Sequence, residues 1–141
     1  MKYSSLIGVL AAVAVIGSCC MIWISIPDKQ IAVSGFASAG TRFGKPGLMN
    51  AMMSSIAVLL FIIPRIWSKR INLFFAAFNL AWAIRNYILL STCQGGDCPE
   101  KHFGLYLLIG ASLLLMAMAL FPDLPIQQQK TTEPVADRDA L

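Results

Sequence analysis

Apolar residues in this chain fall into four long runs separated by short polar segments. No side chain between Tyr3 and Pro27 is charged, and Leu6 to Ile26 is almost continuously apolar. A second uncharged run lies between Lys45 and Arg65, with Leu48 to Ile63 as its apolar body. A third extends from Ile71 to Leu90 and is broken only by Arg85, and a fourth from Phe103 to Pro122 carries no charge. A helix needs about 20 predominantly apolar residues to cross the hydrocarbon core of a bilayer, and each run approaches that length. The pattern predicts an all-α integral membrane protein with spans at about 6–26, 47–63, 71–90 and 103–121. Short connections favour alternating directions, so the expected architecture is an up-down-up-down bundle over residues 1–122.

Composition sharpens this. Of 141 residues, 57% are hydrophobic and 13% charged, against about 25% charged in soluble domains. The segments between the runs are too short to bury a core of their own. The tail at 123–141, with Gln127 to Gln129, Thr131, Thr132 and Pro134, lacks the apolar residues needed to fold and is expected to be a disordered cytoplasmic end. The stretch Ile16-Gly17-Ser18-Cys19 has the look of a lipoprotein processing site, but the apolar run continues through Cys20 to Ile24, which favours a retained helix.

Charge sets the expected orientation. Arg65, Lys69 and Arg70 form the tightest basic cluster, and basic short loops stay on the cytoplasmic side. Both termini then lie inside, with Lys2, Lys130 and Arg138, while Lys29, Arg42, Lys45 and Lys101 lie outside. Cysteine usage agrees independently. Cys93 and Cys98 flank a tight Gln94-Gly95-Gly96-Asp97 turn, and a disulfide persists on an oxidising face. The expected location is the plasma membrane, the inner membrane in a bacterium. The first outer loop, with Gly35, Gly40, Gly44 and Gly47, is expected to be an ordered lid ending in a turn at Lys45-Pro46-Gly47. Its Gly35 to Thr41 stretch lacks the Lys and the strand-loop-helix context of a phosphate-cradling loop, so neither nucleotide nor nucleic acid is an expected partner.

Three groups of residues are candidates for chemistry. Asn72, Asn79 and Asn86 recur every seven residues, a spacing that drifts by only about 20° per heptad and so defines one helical stripe. Such a stripe is expected to face protein, as hydrogen-bonding glue or as the lining of a pathway. Arg85 lies beside it near the outer end of the third span, placed for a structural, lipid-phosphate or anion contact. Two cysteine pairs, Cys19-Cys20 and Cys93-Cys98, are the only arrangement with redox potential.

This pairing is similar in outline to the quinone-linked membrane oxidases that generate disulfides, four-helix proteins with one cysteine pair near the membrane surface and usually another in an outer loop. The resemblance covers organisation only, because those enzymes carry Cys-x-x-Cys where this chain has vicinal Cys19-Cys20. His102 with Cys93 and Cys98 matches no zinc spacing, so no metal is expected. A haem between two histidines is excluded by the single His at the rim, and no cofactor is expected. The reading that follows is a small multi-pass, non-enzymatic accessory or assembly subunit. Its expected partners are the lipid bilayer and other membrane proteins or further copies of itself. The alternatives are a membrane thiol-disulfide oxidoreductase and a small channel or carrier lined by the Asn stripe.

Overall fold

The computed structural model describes residues 3–121 apart from 41, 43, 94, 95 and 97. The expected tail at 123–141 lies outside the described residues, as do the basic residues Lys2, Lys130 and Arg138. The described residues are mostly helical and form four helices and a small sheet. Helix α1 spans Ser4–Cys20, α2 Pro46–Ile62, α3 Ile66–Ser91 and α4 Phe103–Leu120. Strands β1 (Ile22–Ile26), β2 (Ile31–Ser34) and β3 (Glu100–Lys101) form an antiparallel sheet in the order β2-β1-β3. Among the described residues α3 and α4 are long and apolar enough to cross a membrane, whereas α1 and α2 are shorter, at 17 residues each.

The sheet corrects the all-α expectation, and it begins inside the first apolar run. The helix stops at Cys20, and the run's last residues, Ile22-Trp23-Ile24-Ser25-Ile26, are extended. β-Branched and aromatic residues lose rotamer freedom against the preceding turn of a helix and pack well on a pleated surface. Hydrophobicity counts this segment as membrane span; side-chain shape and a partner strand make it sheet. A Pro27–Lys29 turn, closed by Gln30 with φ 50°, reverses the chain into β2, which pairs Ile24 with Val33 and Ile26 with Ile31. On its other edge β1 pairs with β3, Ile24 opposite Lys101 and Ser25 opposite Glu100. The first part of the expected outer loop, 27–34, is therefore the turn and return strand of a hairpin, and its four glycines all follow it. Helix α3 also starts earlier than expected, so that Lys69 and Arg70 lie in its first turns and only 63–65 link it to α2.

Each helix packs on two others in the cyclic order α1-α2-α3-α4, and neighbours run antiparallel. The start of α1 meets the ends of α2 and α4, where Ser5 Oγ donates to the Phe61 carbonyl (2.8 Å) and Ser4 Oγ to that of Phe121 (2.6 Å). At the opposite end the sheet closes over the helices. Trp23 and Val33 are fully buried there beneath the strands, with Cys19, Leu90 and Leu105. The Trp23 indole N–H donates to the Ser18 carbonyl at 2.7 Å and pins β1 to the end of α1. The hairpin can lie this close only because Gly35 and Gly47 lack side chains. A Cβ on Gly35 would stand 2.6 Å from the Cys19 carbonyl oxygen, and one on Gly47 would stand 2.6 Å from the Gly35 Cα.

Small residues dominate the interior nearer the other end, where Ala11, Ala12, Ala57, Ala76 and Ala119 pack around Phe61 and Leu115. Large apolar residues face outward instead: Leu6, Leu10, Leu59, Ile62, Phe74, Ile88 and Leu113 are all more than half exposed.

Candidate functional site

Buried amides and hydroxyls concentrate between α2 and α3. Asn72, Asn79 and Asn86 are each at most 2% exposed, and α2 sets Asn50 and Ser54, one helical turn apart and fully buried, against them. Asn79 Nδ2 donates to Ser54 Oγ at 2.7 Å. Asn50 Nδ2 donates to the Asn79 carbonyl oxygen at 3.1 Å and also to its side-chain Oδ1. Asn86 Nδ2 donates to Asn50 Oδ1 at 3.2 Å and to the Pro46 carbonyl at 3.0 Å. That carbonyl also accepts the Trp82 indole N–H at 3.2 Å. The result is a continuous polar seam from the middle of α2 to its first residue. It is built of amides and one hydroxyl, and its hydrogen bonds tie α2 to α3.

Asn72 stands apart, since among the described residues neither polar atom of its buried amide has a partner. Its neighbourhood is basic: Lys69 is also largely buried, its ammonium 5.6 Å from the centroid of the Phe61 ring. Asn50 and Ser54 do not stand out in the sequence, because one Asn and one Ser are ordinary in an apolar run. The signal that finds them is their i, i+4 spacing, which puts both on one face.

At the start of α2 the seam opens into a recess of about 200 Å³ lined by Arg42, Lys45, Pro46, Trp82, Arg85, Asn86, Leu89 and Leu90. Arg85 is exposed and lies over the Trp82 ring, its guanidinium carbon 4.7 Å from the centroid. Arg42 and Lys45, which lie in the connection ahead of α2, enter the sequence reading only as charges that set orientation, and nothing there links them to Arg85, from which all of α2 and most of α3 separate them.

No family model matches this chain, and comparison with curated proteins and with solved structures finds no match. Its chemistry has to be read from its own residues.

The cysteines separate into two unlike sets. Cys93 and Cys98 form a disulfide in the connection between α3 and β3. Cys19 and Cys20 are free thiols that face opposite ways, Cys19 buried with its sulfur 3.5 Å from the Gly47 carbonyl oxygen, Cys20 exposed with its sulfur 3.8 Å from that of Ile16. Successive residues of a helix diverge by about 100°, and this divergence is unfavourable for two thiols acting as one exchanging pair. His102 turns to Ser25, Nε2 to Oγ 2.8 Å, and bridges β1 to the start of α4. Among the described residues no group of three or more His, Cys, Asp or Glu comes together.

Proposed function

We propose that the chain crosses the plasma membrane with all four helices and works as a non-enzymatic accessory subunit, holding other membrane proteins or lipid through its sheet-capped outer end. The observation that carries this reading is the inverted distribution of polarity. Amides and hydroxyls lie inside, while Leu6, Leu10, Leu59, Ile62, Phe74, Ile88 and Leu113 point outward from all four helices. A large apolar side chain left in water forgoes about 1.5–3 kcal/mol. These seven alone would forgo on the order of 10 kcal/mol, comparable with the total stability of about 5–15 kcal/mol of an ordinary domain. In lipid that cost vanishes, and the buried amides become the groups that need partners.

Helices α1 and α2 would cover about 25 Å by the 1.5 Å rise. A deficit of a few ångströms against a core of about 30 Å is met by local thinning and by snorkelling of flanking residues. The exposed Trp67 near the start of α3 and Tyr3 ahead of α1 suit an inner interface. Arg65, Lys69 and Arg70 lie at the end opposite the disulfide and the sheet, which supports placing them in the cytoplasm.

Topology is tested by cysteine labelling in a Cys19→Ala, Cys20→Ala background. Cysteines replacing Asp28 or Lys101 should react with an impermeant thiol reagent in intact cells, and one replacing the exposed Arg70 should not. Reaction at Arg70 alone would invert the orientation. The same background tests the oxidoreductase alternative, since Cys93 and Cys98 should remain joined in it; their reduction would favour an electron relay. For the accessory role, a photo-crosslinker at Ala32 on the exposed edge strand should capture a defined protein, while one at Phe74 should capture lipid. Lipid alone at both positions would remove the protein-partner half of the reading.

A further inference from the structure

We propose that the recess between the start of α2 and the outer turns of α3 binds the phosphate of an anionic phospholipid in the outer leaflet. The proposal rests on the four-span reading and adds a ligand class to it. Three cations converge on this recess, Arg42 and Lys45 from the connection ahead of α2 and Arg85 from α3, and none of the residues lining it is acidic. Among the described residues none of the three is in an ion pair. Like charges brought together on a concave surface raise the local potential and attract an anion, and guanidinium forks match the geometry of phosphate oxygens. The N-terminus of α2 adds its partial positive charge at the same place.

The cations are held in position. The Pro46 carbonyl accepts both the Trp82 indole and the Asn86 amide, which clamps the start of α2 against α3. Trp82 in turn supports Arg85. A free anion would need nothing more, but the surface below the recess is amphiphilic. Phe74, Phe78, Trp82, Arg85 and Leu89 follow one another at helical spacing on α3, with Phe78 stacked on Trp82 at 6.1 Å between centroids. Phe74 and Phe78 are exposed. The stripe therefore presents a cation at the top and a bare aromatic track below it. Arg85 lies six residues before the end of α3, about 9 Å along the axis, a depth from which its stem reaches headgroup level. A phosphate seated among the cations would leave the acyl chains of the same molecule lying along Trp82, Phe78 and Phe74.

The test uses the full chain in mild detergent micelles, titrated with phosphatidylglycerol, phosphatidylcholine or inorganic phosphate while its thermal midpoint is followed. Native mass spectrometry of the same samples counts retained lipid. Phosphatidylglycerol should raise the midpoint and appear as a bound adduct, phosphatidylcholine should do so much more weakly, and millimolar phosphate should neither reproduce the shift nor displace the adduct. Loss of one charge-assisted contact should weaken the apparent affinity about tenfold or more in Arg85→Gln and Lys45→Gln. Arg65→Gln, at the other end of the molecule, should leave it unchanged. Arg42→Gln, outside the helices, repeats the test if the other variants lose their fold in lipid-free micelles.

Equal shifts in wild type and variants would overturn the proposal, as would equal response to the two lipids. A shift reproduced by phosphate alone would overturn the lipid source and leave a free-anion site. Absence of lipid binding with the labelling topology intact would remove this inference and leave the four-span reading standing.

Discussion

The seam between α2 and α3 and the seam between α1 and α4 solve the same packing problem with different chemistry. In the first, Asn50, Ser54, Asn79 and Asn86 satisfy one another across the helices. In the second, Ala11, Val15, Leu108, Ala111 and Leu115 pack carbon on carbon, Ser4 donates to the Met118 and Phe121 carbonyls only at the end of the seam, and the buried Ser112 hydroxyl has no partner among the described residues. Small side chains let the helices approach closely, so dispersion contacts hold the α1–α4 seam at low cost in polar burial. The α2–α3 seam gains directionality instead: an amide chain fixes which turn of one helix meets which turn of the other. That fixed register is also what delivers Lys45 and Arg85 to opposite sides of one recess.

Substitutions can break or sharpen this contrast, and the largest effect is expected where neither chemistry operates. Gly47→Val would drive a side chain into the Gly35 backbone at the junction of hairpin and helix. A loss of about 3 kcal/mol or failure to fold is expected, from overpacking against backbone that cannot rotate away. Thermal unfolding in detergent measures it, and a midpoint near wild type would show that the hairpin is not tightly seated.

Leu108→Ala tests the packed seam and should cost about 2–3 kcal/mol through the cavity left behind. Next comes the polar seam. Asn50→Leu removes the residue bonded to both Asn79 and Asn86 and should cost about 1–2 kcal/mol, the upper range for interhelical hydrogen bonds in membranes. If Asn50→Leu cost nothing while flux or binding was lost, the amides would line a pathway instead of holding the seam.

The smallest expected effects compare partnered with unpartnered groups. Ser54→Ala takes away the acceptor of Asn79 and should cost about 1 kcal/mol. Ser112→Ala and Asn72→Leu remove buried polar atoms that make no hydrogen bond among the described residues, and should be neutral or stabilising within about 0.5 kcal/mol. Equal costs for Asn72→Leu and Asn79→Leu, read from the same unfolding midpoints, would erase the distinction between the two ends of the stripe.

Much of the architecture is legible in the sequence, because the properties that set it are local. Four apolar runs of helical length specify four helices whatever they pack against, and the positions of α2 and α4 differ from their runs by a residue or so at each end. Seven-residue spacing alone puts Asn72, Asn79 and Asn86 on one face, and the short, turn-flanked separation of Cys93 and Cys98 makes them a disulfide pair. Tertiary structure decided the rest. Ile22–Ile26 is as hydrophobic as the helix before it; its β-branched and aromatic side chains permit a strand, and Ile31–Ser34 and Glu100–Lys101 as partners make it the central strand of a sheet. The choice of Asn50 and Ser54 to complete the amides of α3, and the convergence of Arg42 and Lys45 with Arg85, depend on the register between α2 and α3. Hydrophobic periodicity reports which face of a helix is inward; register is a property of two surfaces in contact, and no single stretch of chain contains it.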